Sequence, residues 1–539
     1  MRFKFLAFFC LGTVGCFGSD FLKNMSLEEK VGQVLMVHFH GEEANEDART
    51  LIQDTKIGSI IYYNWSNGLT SPAQVQALSA GLQQLARDNH HSIPLFIATD
   101  QEGGVVARLQ AGFTSFPGNR ALGETSDPNL AELSALAMGQ ELQAVGINMN
   151  LAPVVDVNSN PRNPVIGVRS FGDHPETVIA FGKKSLAGFK QAEVVATLKH
   201  FPGYGDVAVD PHEDLPVIRK SKAELEQVEL LPFAKLASSA DAIMTAHIFV
   251  PALDPENCST LSEKTLNYLR EVIGFQGVIV ADSLVMDGVL KKCHSVDEAS
   301  IAALNAGCDL LILGGKLLVG EHTGLELTTA DVQRIHHSIV KAVKNGRVAE
   351  AKLNRAVERV LQLKKRYLNA KTPCVSASEL REKVDTLEHR RLAQKIASLA
   401  LQVKETHQIA HLSDQKIFLV APEILQPTLQ NTSLFNIGKS MDAYFFNSLN
   451  PSSAEIDAVK KQAEAADVVI VCSYNAWKNA SAITLTQSLL QSTKPVIIFS
   501  VRDPLDASLF SDADLVVTSF GPTAPSLQAI CDRLAEKSK

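Results

Sequence analysis

Eight short apolar runs recur between Gln33 and Leu313, near residues 33–39, 58–63, 95–99, 147–156, 194–199, 242–247, 277–282 and 309–313. Most are separated by stretches with helical periodicity, and strands alternating with helices imply a parallel sheet. Eight repeats point to an α/β fold of the TIM type, a (β/α)8 barrel, with a broken barrel left open by the irregular spacing. Ser126 is placed to cap a helix that runs to Val145 and stops at Gly146, and Ser295 to Glu298 read as a capping box.

The helical pattern continues from Thr329 to Arg366, so the barrel domain is expected over 19–368. Asn369 to Ser376, with Pro373, reads as a linker, and a helical stretch around His389 to Val403 follows it, giving a connecting segment over 369–400. Beyond it, Lys416 to Val420, Asp467 to Cys472, Pro495 to Ser500 and Asp514 to Thr518 alternate with polar or helical segments. They predict a smaller C-terminal α/β domain over 401–539 with a mainly parallel sheet. With 539 residues, 45% of them hydrophobic and 20% charged, the chain has the composition of a globular protein long enough for two domains. Its net charge of −8 argues against a nucleic-acid partner.

The first residues differ from the rest. Arg2 and Lys4 precede the apolar run Phe5 to Val14, and the small residues Gly15, Gly18 and Ser19 follow, which reads as a secretory signal peptide over 1–18. Thr13-Val14-Gly15-Cys16 also resembles a bacterial lipobox, with Thr13 where leucine is usual. Lipidation of Cys16 and plain release near Gly18 both stand, and either places the mature chain in the periplasm or cell envelope, with Cys16 as the sole membrane attachment. The remaining cysteines, Cys258, Cys293, Cys308, Cys374, Cys472 and Cys531, show no metal-ligand spacing, so buried free thiols are expected.

Chemistry concentrates where the runs end. Lys199-His200-Phe201-Pro202-Gly203-Tyr204-Gly205-Asp206, followed by Asp210-Pro211-His212, gathers cations, carboxylates and imidazoles around two glycines just past Val194 to Leu198. Asp210 can orient and charge-stabilise His212 as a proton shuttle, with Pro211 narrowing how the pair points. An isolated Asp-x-His is more often a solvated surface loop. Asp100 leads Asp100-Gln101-Glu102-Gly103-Gly104 out of a strand, where the glycines let backbone and ligand approach closely and an acidic turn is an equal alternative. Asp282 ends the β-branched run from Gly277 and so reaches the rim of a barrel. Arg169 offers a fixed fork of donors that can hold ligand oxygens or brace a carboxylate. Asp156 and His247 each admit a structural and a functional reading. Asp309 precedes the eighth strand, on the face where structure is the better reading.

The whole Lys199 to His212 string resembles the Lys-His-Phe-Pro-Gly-His-Gly-(Asp)…Asp-Ser-His signature of family 3 glycoside hydrolases of the β-N-acetylhexosaminidase type. Tyr204 stands where a second histidine is common, and Pro211 replaces the usual serine. Asp100 to Leu109, Asn150 to Val157, Arg169 to Gly172, Met244 to His247 and Gly277 to Met286 match the same family in order, so the resemblance covers nearly all of 26–315. In the C-terminal domain it is carried by Lys494 to Ile498 and Arg502 to Asp506, and that domain reads as structural. The resemblance implies a retaining mechanism needing no metal or other cofactor, with Asp282 as nucleophile and His212, supported by Asp210, as acid and base. It further implies substrate binding by Asp100, Arg108, Arg169, Lys199, His200, His247 and Met286. The separation of His212 from Asp282 is expected to be long without ligand, because loop closure can complete such a site. The implied activity is that of an exo-acting β-N-acetylglucosaminidase, a monomer acting on GlcNAc-containing oligosaccharides or muropeptides. A β-glucosidase of the same family is the alternative enzyme, and a non-catalytic glycan-binding protein the alternative outside enzymes.

Overall fold

The computed structural model describes residues 19–207, 215–316, 326–368, 376–409 and 411–537. Each of the eight runs forms a strand: β1 (Leu35–Val37), β2 (Ser59–Ile61), β3 (Phe96–Thr99), β4 (Met149–Asn150), β5 (Val195–Phe201), β6 (Ala242–Thr245), β7 (Val278–Ala281) and β8 (Leu310–Ile312). Each pairs in parallel with the next, and β8 returns to β1, so the barrel is closed and the broken alternative falls away. The irregular spacing arises at one end. A hairpin of Gln101–Gly103 with Val106–Ala107 and a short helix Asn119–Glu124 are inserted between β3 and the helix Pro128–Ala144.

Side chains alternate along each strand, and the burial follows that period. Met36, Ile61, Phe96, Met149, Val195, Met244, Val280 and Ile312 pack together inside the barrel, while Leu35, Ile60, Ile97, Ile279 and Leu311 belong to the cluster shared with the outer helices. The lumen is thus a packed core. Two of the expected helix starts are revised in detail. The first helix is capped by Asp127, whose Oδ1 accepts from Asn129 N at 3.0 Å, because Ser126 has a positive φ of 57°. Ser295 Oγ does accept from Glu298 N at 3.2 Å, the forward half of a capping box.

The helix Glu350–Tyr367 closes the N-terminal end of the barrel. Lys364 Nζ donates to Gln33 Oε1 at 2.8 Å and to Gly58 O at 2.7 Å, and Arg359 pairs with Asp309 at 2.9 Å. Asp309 also pairs with Arg270 and accepts from Ile279 N at 2.8 Å, which is the structural role expected for it. Lys364 is fully buried without a carboxylate beside it, and burial pulls its pKa down to about 7. The unfolded chain holds that proton to about pH 10.4, so unfolding takes up a proton between these values and stability rises with pH across the window. Lys364→Met removes this dependence. In urea titrations, the stability of the variant relative to the parent is expected to fall by roughly 4 kcal/mol from pH 7 to pH 10. Parallel curves would contradict the neutral buried lysine.

The C-terminal domain is a second sheet of β9 (Gln402–Glu405), β10 (Lys416–Pro422), β11 (Ser440–Phe446), β12 (Val468–Ser473), β13 (Val496–Ser500) and β14 (Leu515–Thr518). Its order is β9-β14-β13-β12-β10-β11, parallel except for β9. The helix Leu387–Ala400 packs on both domains, against Ala524–Lys537 on one side and against Asn119–Glu124 and Pro128–Ala144 on the other. Cys258, Cys293, Cys308, Cys472 and Cys531 are free thiols, and Cys374 lies outside the described residues. Among the described residues no helix is long and apolar enough to cross a membrane. Residues 1–18, where the sequence leads one to expect a signal peptide and which include Cys16, lie outside them.

Candidate active site

The period of two carries through Lys199 near the end of β5 and one residue past the ends of β3 and β7. Asp100, Lys199 and Asp282 continue the inward-facing rows of Ala98, Val195 and Val280, so all three rise above the packed lumen at the C-terminal rim. They border a cavity of about 390 Å³ whose floor is Ile61, Leu151, Met244 and Ile312. Arg108, Arg169, His200, His247 and Met286 line it as well, so the fold brings together every described residue to which the resemblance assigns catalysis or substrate binding. Asp210 and His212 lie outside the described residues, and with them the expected separation from Asp282.

One wall is a buried ion cluster. Lys199 Nζ lies 2.8 Å from Asp100 Oδ1 and 2.7 Å from Glu102 Oε1, and Arg169 grips Glu102 with Nη2 at 2.8 Å and Nε at 2.9 Å. Arg108 Nη2 stands 3.6 Å from Asp100 Oδ2. Burial works to raise both carboxyl groups, but the facing cations outweigh it: Lys199 and Arg108 hold Asp100, and Arg169 and Lys199 hold Glu102, below the usual carboxylate range. Burial likewise opposes the Lys199 ammonium, and Asp100 and Glu102 overcome it, so its pKa is raised. Three cations, Lys199, Arg108 and Arg169, therefore face the two carboxylates of Asp100 and Glu102. Arg169 braces Glu102 rather than Asp282, and the hub residue Glu102 is one that the sequence left unmarked.

The loop after Lys199 is anchored from behind. Asp156, fully buried, accepts from His200 N at 3.1 Å and Tyr204 N at 2.7 Å, and its Oδ2 meets His200 Nδ1 at 2.7 Å. This settles Asp156 as the support that orients the His200 ring. Both glycines of the motif are steric requirements. Gly203 has φ +123°, and a Cβ on Gly205 would come within 1.5 Å of Val157 O. Tyr204, the departure from the family pattern, packs edge-on against His200 at 6.1 Å and lines the cavity.

Across the cavity, His247 Nε2 donates to Ser283 O at 2.8 Å, and its Nδ1 lies 2.9 Å from Thr260 Oγ1. A sugar contact through either nitrogen would require one of these bonds to break. The pair holds the turn that presents Asp282, whose Oδ1 accepts from Ser283 N at 2.7 Å. Among the described residues no salt bridge is made by the Asp282 carboxylate.

Sequence reasoning also missed the mouth of the cavity. Tyr63 and Trp65 stack at 4.3 Å with an interplanar angle of 16°, and Arg108 and Lys316 each place their cation 5.4 Å from the Trp65 ring centre. The available signal was Tyr62-Tyr63-Asn64-Trp65 directly beyond β2, holding one of the two tryptophans of the chain. The second domain reaches this end of the barrel through Lys478 Nζ, which donates to Pro164 O at 2.8 Å in the loop leading to Arg169. Among the described residues, the His and carboxylate groupings with metal-ligand spacing lie off the cavity wall.

The model for the glycosyl hydrolase family 3 N-terminal domain matches residues 26–363. The chain belongs to glycoside hydrolase family 3. This hydrolase is 33% identical to β-hexosaminidase A of Pseudoalteromonas piscicida over 473 residues, 80% of this chain and 75% of that one. It is 34% identical to a β-hexosaminidase of Pseudomonas aeruginosa over 305 residues, 56% of this chain and 86% of that one. Among solved structures, a family 3 β-N-acetylglucosaminidase from a Paenibacillus species superposes with a TM-score of 0.85 at 33% identity, covering 95% of this chain and 97% of that one. A β-glucosidase from Listeria innocua shares the fold at 21% identity and a TM-score of 0.74, covering 96% of this chain and 74% of that one.

Proposed function

We propose that this family 3 hydrolase is an exo-acting, retaining β-N-acetylglucosaminidase that removes terminal non-reducing GlcNAc from peptidoglycan fragments outside the cytoplasm. The observation that carries the reading is the position of Asp282, at a barrel-strand end beside a cavity with a closed apolar floor and opposite the Asp100–Lys199–Glu102–Arg169 cluster. A closed floor accepts a chain end rather than the middle of a polymer. The buried cations and carboxylates present fixed donors and acceptors to sugar hydroxyls, with Lys199, Asp100, Arg108 and His200 as the contacts. The relatives that are at least 30% identical are named β-hexosaminidase and β-N-acetylglucosaminidase, which supports GlcNAc over glucose.

The mechanism follows in two displacements. Asp282 attacks the anomeric carbon while His212, held by Asp210, protonates the departing glycosidic oxygen, and the aglycone leaves. His212, now basic, takes a proton from water, which attacks the same carbon and releases Asp282 and a β-configured sugar. The test of substrate class is a comparison of aryl β-GlcNAc and aryl β-glucoside. Hydrolysis of the first in strong excess is expected, and turnover of the glucoside alone would overturn the assignment.

A further inference from the structure

A second grouping of polar side chains lies just beyond the cavity mouth and plays no part in the chemistry above. His38 and His40 leave the end of β1 on either side of Phe39, which is buried in the core. Both imidazoles converge on one oxygen: His38 Nε2 and His40 Nε2 each lie 3.0 Å from Glu326 Oε2. The three candidate ligand atoms all fall within 4.8 Å of one another.

We propose that His38, His40 and Glu326 bind a divalent transition-metal ion of the zinc class at the rim of the substrate cavity. Two imidazole nitrogens and one carboxylate oxygen suit zinc and its neighbours, whereas magnesium and calcium favour oxygen ligands. Metal–ligand bonds of about 2.0 Å at tetrahedral angles put ligand atoms roughly 3.3 Å apart, so the two 3.0 Å edges lie close to those of an occupied site. Ordering costs little, because the His38 and Glu326 side chains are 1% and 11% exposed and the His38 ring is packed edge-on against Tyr63 at 5.9 Å. His40, with 58% of its side chain exposed, leaves an approach from solvent and room for a fourth ligand.

Lys316 opposes the ion. Its ammonium sits 3.3 Å from the other Glu326 oxygen, and it also lines the cavity and lies over Trp65. A bound cation competes with Lys316 for the carboxylate and turns that ammonium towards Trp65 and the cavity. The site is thereby coupled to the mouth of the active centre through one side chain.

The test uses the full chain, stripped with a chelator and titrated with Zn²⁺ alone against a chromophoric competitor. One zinc per chain with a Kd at or below about 1 μM is expected. His40→Ala and Glu326→Gln are expected to weaken it at least tenfold, and Lys316→Ala to tighten it. His90→Ala, in the separate Glu29–His90–His91 grouping, should leave it unchanged. Equal zinc affinity in the parent and His40→Ala proteins, or a Kd weaker than about 100 μM in the parent, would overturn the proposal and reduce the trio to a hydrogen-bonded tether. The readout is binding, so it is independent of which glycoside the enzyme cleaves.

Discussion

Asp282→Ala is expected to lower turnover of aryl β-GlcNAc by a factor on the order of 10³–10⁴, about 4–5.5 kcal/mol of lost transition-state stabilisation. The barrel should stay folded, because the hydrogen bond shown for the Asp282 carboxylate is the local one from Ser283 N, and the turn remains held by His247. Circular dichroism and a urea midpoint close to the parent's check that part. The loss should also be rescued from outside. Azide can enter the space left by the carboxylate and attack the anomeric carbon on the face Asp282 used, giving an α-glycosyl azide. Activity near the parent level in a folded Asp282→Ala protein would remove it from the nucleophile's role.

The second large effect is on stability. Lys199→Met leaves Asp100 and Glu102 buried with their nearest shared cation gone, and Arg108 at 3.6 Å is a distant replacement for Asp100. Breaking a buried pair in this way costs about 3–5 kcal/mol. The pH dependence has a defined sign. Both carboxyls have depressed folded pKa values, so their contribution is complete above the unfolded value of about 4 and is lost as pH falls through the lower folded values. Lys199 has a raised folded pKa, so its contribution is complete below about 10.4 and is lost as pH rises through the folded value. The gap between parent and variant in urea titrations is therefore expected to be flat from pH 5 to pH 9 and to narrow below pH 4. A gap under about 1 kcal/mol at pH 7, the scale of an exposed pair, would show the cluster to be screened by solvent.

What the sequence made legible follows from burial. A barrel strand is covered on both faces, so β1 to β8 stand out as continuous apolar runs, and their last inward-facing residues mark the site at Asp100, Lys199 and Asp282. The edge strands of the second domain do not stand out. Gln402–Glu405 is exposed at every position and carries no apolar run, while Ser440–Phe446 is exposed at three of its seven and breaks its apolar character with Asp442. Glu102 was hidden for another reason. Its partners Arg169 and Lys199 are 67 and 97 residues away, and only the closed barrel brings three strand ends to one charge cluster. Tyr63 and Trp65 are read in sequence as ordinary aromatics, and they become a cavity wall only once β2 is placed beside β3.

The central claim is retention through a glycosyl-enzyme on Asp282, and the anomer released first tests it most directly. Proton NMR of aryl β-GlcNAc hydrolysis, recorded before mutarotation mixes the products, is predicted to show β-GlcNAc appearing first. Initial α-GlcNAc would mean a single displacement by water and would contradict the account.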